Sequence, residues 1–370
     1  MADLRVRIHD GPLHEFAAAW DALGDPNHPG AVFRSYPWIA AWWRHAAPST
    51  RPRLLLAEQG REIVGLLPLY ETGVPGRRRL RLMADHTVGS DYLGAVARDD
   101  LRGAVAAAFA DELSRWSGGE SRLDHLASDD PLVALLAAEF NTSPRYVCPY
   151  VAFFEDFDSY LARRPNGLAR QWRRRLRWLE KCGGFGVRVL RHPDDVSIGI
   201  ETLLDLHRRR WSAEGGSESI VGARVQGFHR DVARTLAERD VARVFLLDVA
   251  GAPRAALYGF RHGDRFAYYQ SGRLPEWENR SVGTVLLGLV IAHCVSEGVR
   301  EFDFLHGDEG YKLLWATDAR HTVRLRKLSS WTARAEAQVR LAYVAAKGAL
   351  PEGGRAWLRR QRNRLRHRLA

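Results

Sequence analysis

Five ionisable side chains crowd into seven residues, His306, Asp308, Glu309, Tyr311 and Lys312, just after the alternating run Val299–Leu305 (VREFDFL). An imidazole titrates near neutrality and can take a proton from a nucleophile. A carboxylate can do the same once desolvated, and a phenol can give a proton to a leaving group. His306, Asp308 and Glu309 are therefore candidates for a general base, and Tyr311 for a general acid. Each has a second reading. Asp308 and Glu309 fit the N-terminus of a short helix, and Tyr311 could pack on Trp315 one turn further on. Lys312 suits an anionic ligand group or plain solvent. Asp303, between Phe302 and Phe304, needs a cation, with Lys312 and Arg280 as the possibilities.

Upstream, Arg280-Ser281-Val282-Gly283-Thr284 opens a helix. Short polar residues and a glycine at a helix start leave backbone N–H groups unpaired at the positive end of the dipole, which suits a phosphate. Gln270 and Ser271 end the preceding strand, where they could bond a ligand or simply an edge. Strand, phosphate-binding helix, strand and ionisable turn together imply transfer from a phosphate-bearing donor. Cys148, Cys182 and Cys294 are widely spaced, and the fourteen His form no ligand pair at helical spacing. Neither a metal nor a disulfide framework is expected.

The elements that must position these residues follow a clear order. Helices are expected at Leu203–Trp211 and Gly227–Asp240, then strands at Ala242–Val249, Ala255–His262 and Arg265–Gly272. Ala250-Gly251-Ala252-Pro253 and Gly263-Asp264 join them as hairpin turns. Ser281–Glu297 reads as helix, Val299–Leu305 and Thr322–Leu328 as strands, and Ser330–Leu350 as a last helix. The first half repeats the order: helices at Leu13–Leu23 and Pro37–Ala46, strands at Arg53–Glu58, Glu62–Glu71 and Arg78–Met83, a helix at Leu101–Trp116, strands at Arg122–Leu126 and Arg145–Phe153. LLAEQGREIVGLLPLY aligns without a gap on LLDVAGAPRAALYGF, pairing Gly60 with Gly251, Trp20 with Trp211 and Trp38 with His229. The expectation is two tandem α/β domains, each a mixed, mostly antiparallel sheet flanked by helices. Their bounds are 1–155 and 185–330, with a basic connecting helix at 156–184 and a helix and Arg-rich tail at 331–370.

The net charge of +11 is concentrated. Gly353–Ala370 contributes +7 and Arg170–Lys181 contributes +5, leaving −1 for the remainder. A neutral body with two basic appendages differs from the charged face of a dedicated nucleic-acid binder. No run of residues is apolar enough to span a membrane. The N-terminus MADLRVRIHD carries charges where a signal peptide needs apolar residues, so a cytoplasmic protein is expected.

Three antiparallel strands, a phosphate-binding helix, a strand, a short helix and a last strand resemble the GNAT fold of acyl-CoA-dependent acyltransferases. PWIAAWW at Pro37–Trp43, VGLLPL at Val64–Leu69, Ser90-Asp91-Tyr92, the Arg-rich central helix, His207–Trp211, YYQSG at Tyr268–Gly272 and FDFLHGDEGYK at Phe302–Lys312 resemble the tandem GNAT family associated with cellulose and exopolysaccharide biosynthesis. Fem peptidyltransferases, which use aminoacyl-tRNA, are its structural cousins. The resemblance spans about Leu13–Leu328. It implies that Arg280, Ser281, Val282, Gly283 and Thr284 bind the pyrophosphate of acetyl-CoA or another acyl-CoA. The GNAT loop R-x-x-G-x-G/A is matched at Arg280 and Gly283 but carries Val285 last. Gln270 and Ser271 then border the thioester, and Tyr311 protonates the leaving group. Gly89-Ser90-Asp91 takes the equivalent place in the first half, where an Asp repels a pyrophosphate, so only the second copy is expected to bind donor. Asp91 and Tyr92 are expected to face the acceptor, and the resemblance also puts His207 and Trp211 near it. The implied activity is N-acyl transfer, of acetyl in the first place, to a small-molecule amine or amino sugar. The alternatives are a Fem-like aminoacyl-tRNA-dependent transferase and a non-catalytic adaptor docking to RNA or anionic membrane through its Arg tail.

Overall fold

The structure, a computed structural model, describes residues 4–45, 50–85, 87–153, 155–213, 220 and 222–348, with the backbone alone over 211–213 and 340–348. The side chain of Trp211 and the Arg-rich tail from Gly353 therefore lie outside the described residues.

Among the described residues there are thirteen strands. The first half supplies β1 (Leu4–His9), β2 (Arg51–Gln59), β3 (Glu62–Thr72), β4 (Arg78–Leu82), β5 (Val96–Ala97), β6 (Gly119–Ala127) and β7 (Asn141–Ala152). The second supplies β8 (Phe185–Leu190), β9 (Ala242–Val249), β10 (Ala252–His262), β11 (Arg265–Arg273), β12 (Glu301–Asp303) and β13 (Asp318–Leu328). They join in one sheet, ordered β1-β2-β3-β4-β6-β13-β7-β12-β11-β10-β9-β8, with β5 on β3. The pairing is antiparallel except at β4–β6 and β11–β12. The sheet is mixed and mostly antiparallel with helices against it, as the pattern of elements requires.

The order reads alike from both ends, and the last strands have changed places. β13 pairs β6, and β7 pairs β12. β13 and β7 then pair with each other from Asp318–Tyr150 to Arg326–Asn141, so the halves share a seam rather than face each other across open space. Matched helices meet at the same junction. Trp38, fully buried in the Tyr36–His45 helix, packs edge-on against Phe228, 4.9 Å between centroids. Its repeat-related residue His229, in the Ala223–Glu238 helix, lies 6.5 Å away. Replacing such a buried Trp by Ala costs roughly 3–5 kcal/mol.

The second half holds its donor-side elements on another core. Val285, Leu286, Val290 and Ile291 of the Val282–Ser296 helix are buried with Trp172 and Leu179 of the Leu168–Lys181 helix. The connecting segment is not one long helix. It breaks between Phe157–Ala162 and Leu168–Lys181, where Asn166 and Gly167 take left-handed φ of 56° and 66° after Pro165. Proline fixes φ and lacks the N–H that would continue the helix. β1 and β8 were also unexpected. Both are edge strands with Arg on their exposed positions, which lowers their apolar signal.

Candidate functional site

β11 and β12 pair over three residues only, Arg265–Glu301 to Ala267–Asp303. Beyond them the chain after β12 follows β7 instead. The Phe304 amide donates to the Pro149 carbonyl at 2.9 Å and the Gly307 amide to Val147 at 3.0 Å. β11 runs on to Arg273 with only β10 at its side, and a bulge at Tyr258–Gly259 doubles Tyr269 into the strand. A gap therefore opens between Tyr268–Arg273 and Phe304–Gly307. Bulges re-aim backbone groups near sites of this kind.

At the head of the Val282–Ser296 helix, Ser281 is left-handed with φ 54° and makes no side-chain cap. The first intrahelical bond runs from the Val285 amide to the Ser281 carbonyl at 3.0 Å, so the amides of Val282, Gly283 and Thr284 have no backbone acceptor among the described residues. A Cβ on Gly283 would meet only Arg273 Cδ, at 3.6 Å. Three free donors, an open position and a helix dipole fit a phosphate group. Arg280 is drawn aside: its guanidinium lies 3.9 Å from the Trp178 ring centroid.

His306 stands where the gap meets the first half. Asp91 Oδ2 accepts from His306 Nδ1 at 2.7 Å and from the His306 amide at 3.0 Å. The Asp91 side chain has no exposure, whereas His306 keeps 37%. Burial pushes the Asp91 carboxyl up, but His306 and His125 outweigh it and hold it below the usual carboxylate range. Asp91 in turn raises His306 above its ordinary value, against the opposing effect of burial. With Nδ1 bonded, Nε2 is the nitrogen left for proton transfer. Tyr146 packs its ring on His306, centroids 4.9 Å apart, and stacks on His125 at 5.4 Å. His125 Nδ1 lies 3.4 Å from the other Asp91 oxygen.

The loop that delivers Asp91 is clamped along its length. Trp38 Nε1 donates to Ser90 Oγ at 2.9 Å, the Tyr269 hydroxyl donates to the Val88 carbonyl, and Arg34 Nε donates to the Tyr92 carbonyl at 2.6 Å. Gly89, at φ 65°, keeps the space beside His306 free: a Cβ would sit 3.3 Å from the Tyr269 oxygen and 4.0 Å from His306 Cε1.

Tyr311 begins the Gly310–Trp315 helix, its hydroxyl 3.4 Å from that of Tyr268. Tyr268 spends its own proton on Ser271 Oγ at 2.7 Å, so Tyr311 is the donor of that pair. Although the residue as a whole is exposed, desolvation of its hydroxyl and then Tyr268 raise the Tyr311 phenol above its ordinary value. Full transfer of its proton to a thiolate is thus uphill, and its part is hydrogen-bond donation. Trp315 is buried while Tyr311 is exposed, and no ring contact joins them among the described residues. Gln270 and Ser271 lie on the gap strand, Gln270 Oε1 accepting from the Ser271 amide at 3.0 Å.

Several expectations fail on burial. Asp91, Tyr92 and Asp303 are enclosed and cannot touch a substrate. Asp303 finds Arg320 at 3.4 Å and the Tyr92 hydroxyl at 2.8 Å, not Lys312 or Arg280. Burial lifts its carboxyl to about 7 despite Arg320. Lys312, also buried, donates to the His306 carbonyl at 2.7 Å and pairs with Glu309 at 3.0 Å, bracing the turn rather than awaiting an anion. Glu309 occupies the N-cap position without a side-chain cap bond. Asp308 is exposed. His207 is buried against Gly272, its imidazole lowered to about 4 by burial and then Arg210. His125, Tyr146, Tyr268 and Tyr269 were missed, since only contacts between distant segments mark them. Among the described residues no group of His, Cys, Asp or Glu could hold a metal ion, and no helix is long and apolar enough to cross a membrane.

A family model described as "Acetyltransferase (GNAT) domain" matches residues 167–313, from the start of the basic helix to just past Tyr311. No curated protein matches the chain. Among solved structures, FemX is similar at TM-score 0.60 and 12% identity, over 87% of this chain and 97% of that one. The C-terminal domain of a putative lysylphosphatidylglycerol synthetase from Agrobacterium fabrum is similar at TM-score 0.55 and 13% identity, over 88% and 95%. L-PGS from Bacillus licheniformis is similar at TM-score 0.55 and 11% identity, over 90% and 96%. The second half therefore carries a GNAT domain, and the chain is a transferase of that fold.

Proposed function

We propose that the protein is an acyl-CoA-dependent N-acyltransferase, transferring an acetyl or similar acyl group to the amine of a small molecule or amino sugar. The observation that carries this reading is the gap between β11 and β12, with free helix amides at one end and an exposed, carboxylate-held imidazole at the other. The donor supplies an activated acyl carbon on sulfur. The amides of Val282, Gly283 and Thr284 hold its phosphates, and the β11 edge aligns its thioester. His306 Nε2 accepts a proton from the acceptor amine as nitrogen bonds to the acyl carbon and the carbon–sulfur bond breaks. Tyr311 donates a hydrogen bond to the departing sulfur. Asp91 is a positioning residue that fixes the His306 tautomer. Holding both reactants supplies much of the rate, and proton transfer adds roughly a hundred- to ten-thousand-fold. Titration with acetyl-CoA, then an acetylation assay across amines and amino sugars, tests the reading. Absence of donor binding would overturn it.

One observation favours a second reading, a donor carried on RNA. Arg170, Arg174, Arg175, Arg177 and Lys181 share the Leu168–Lys181 helix, and none has an acidic partner among the described residues. A phosphodiester strand along it would make donor binding weaken steeply with salt. Acetyl-CoA binding that is nearly indifferent to salt supports the first reading.

A further inference from the structure

A cavity lined by both halves lies away from the gap and has no part in the reaction above. It encloses about 510 Å³, within the range of small-molecule sites. The first half contributes its loop around Pro26–Ser35, the head of the Arg102–Arg115 helix and the end of β6. The second half contributes Arg239, His262 and Arg320.

Its charges are matched. Arg34 pairs with Asp130 at 3.1 Å, Arg102 with Asp25 at 3.3 Å, and Arg239 with Asp21 at 2.9 Å. Arg320 is held by Glu301 and Asp303. Four arginines and four lining aspartates leave no net charge, and Asp129, exposed in the wall, has no ion pair among the described residues. An anion would have to displace an aspartate, and only the exposed Asp129 is open to a cation without displacing an arginine. Ion pairs at such distances still keep spare N–H donors and oxygen lone pairs.

Two imidazoles add neutral groups. His28 Nδ1 accepts from the Gly30 amide at 2.9 Å, which puts its proton on Nε2. Burial and then Arg34, Arg102, Arg265 and Arg320 push this imidazole down to about 2, so it stays uncharged. His262 Nδ1 lies 3.0 Å from the Pro26 carbonyl, donating to it and leaving Nε2 as an acceptor. Leu23, Pro29, Val96 and Leu132 supply apolar wall.

We infer that this cavity binds a neutral polyhydroxylated molecule, a sugar of one or two rings. Each hydroxyl both gives and takes a hydrogen bond, which is what a wall of paired arginines, aspartates and neutral imidazoles offers. Pyranose C–H faces suit the proline and aliphatic surfaces. The inference goes beyond acyl transfer and holds whichever donor the gap accepts. The cavity and the dyad also share one stretch of chain, with Asp91 at one end and Ala95–Ala97 at the other. Arg34 bonds the Tyr92, Leu93 and Ala95 carbonyls at 2.6, 3.1 and 3.1 Å.

Calorimetric titration of the full chain with N-acetylglucosamine, cellobiose and inorganic phosphate tests it. A sugar should bind, with little dependence on salt. Asp129→Ala should weaken it roughly tenfold, the scale of a lost hydrogen bond to a charged group. Asp129 is exposed, so this variant should fold, and an unchanged circular dichroism spectrum and Tm would show that it has. Ala97→Trp, which fills the cavity, should abolish sugar binding. Sugar binding undiminished in both variants, binding of phosphate in place of sugar, or no sugar binding at millimolar concentration would each overturn the proposal.

Discussion

The two halves solve the same fold differently at one point. In the second, β11 and β12 separate after three pairs, and free amides lie beyond the opening. In the first, the corresponding β4 and β6 pair over four residues, and the returning loop then closes the space by a parallel bridge from Leu93 to Leu126. Neither matched helix has acid in its first turn, but what precedes them differs. The Arg102–Arg115 helix follows Asp99 and Asp100, and Asp99 bonds Arg102 at 2.6 Å. The Val282–Ser296 helix follows Arg280 and Ser281, and Glu278 further upstream is paired with Arg273. The first copy thus has no opening at this place, and the loop that closes it delivers Asp91 to His306. On the proposed reading, the repeat without a donor site supplies a partner residue to its twin.

That contrast can be broken by substitution. His306→Ala should cost most, roughly a hundred- to ten-thousand-fold in turnover with donor affinity nearly unchanged. A near-normal rate would remove the dyad from the reaction. Asp91→Asn should come next, roughly ten- to a hundredfold in turnover, and it carries a pH signature. Because Asp91 raises His306, the wild-type rate should rise with pH through a value above 6.5. Without the carboxylate that rise should move to lower pH, while the plateau falls. A lower plateau with an unmoved profile would mean that Asp91 only supports the fold.

Tyr311→Phe should lower turnover roughly tenfold, the scale of one hydrogen bond made in the transition state. An unchanged rate would leave water as the group that meets the departing sulfur. Asp303→Asn should have the smallest effect. A carboxyl held near 7 in the fold favours the protonated form, so its stabilisation is complete below the unfolded value and is lost as pH rises through about 7. Between pH 5 and 8 the wild type should therefore lose more stability than the Asn variant, by on the order of a few degrees in Tm. Equal slopes would show that Asp303 does not titrate there.

Much of this arrangement can be read from the chain, because local patterns encode it. The repeat fixes Gly60 and Gly251 as equivalent, and both take left-handed φ, 65° and 74°, in matching hairpins. The helix expected at Ser281–Glu297 is found at Val282–Ser296. What escaped is non-local. Exchanging β7 and β13 leaves the alternation of each strand intact, so no periodicity reveals which half it joins. His306 and Asp91 were each identifiable as polar residues on a loop, but their bond spans 215 positions. The assignment of Asp91 to the acceptor failed for the same reason, since its enclosure depends on Tyr146, His125 and His306 arriving from three other segments. Lys312 resembles any surface lysine until the turn folds it under His306.

The central claim is that one donor binds, in the second half only, at the free amides of Val282, Gly283 and Thr284. Gly283→Asp tests it most directly. A carboxylate in the first turn of a helix favours the helix dipole, and the open space beside Gly283 admits it, so the fold should hold. The same carboxylate would occupy the phosphate position. Titration with acetyl-CoA should give one site per chain in the wild type and no measurable binding in a folded Gly283→Asp protein. Two sites per chain, or undiminished affinity in that variant, would contradict the account.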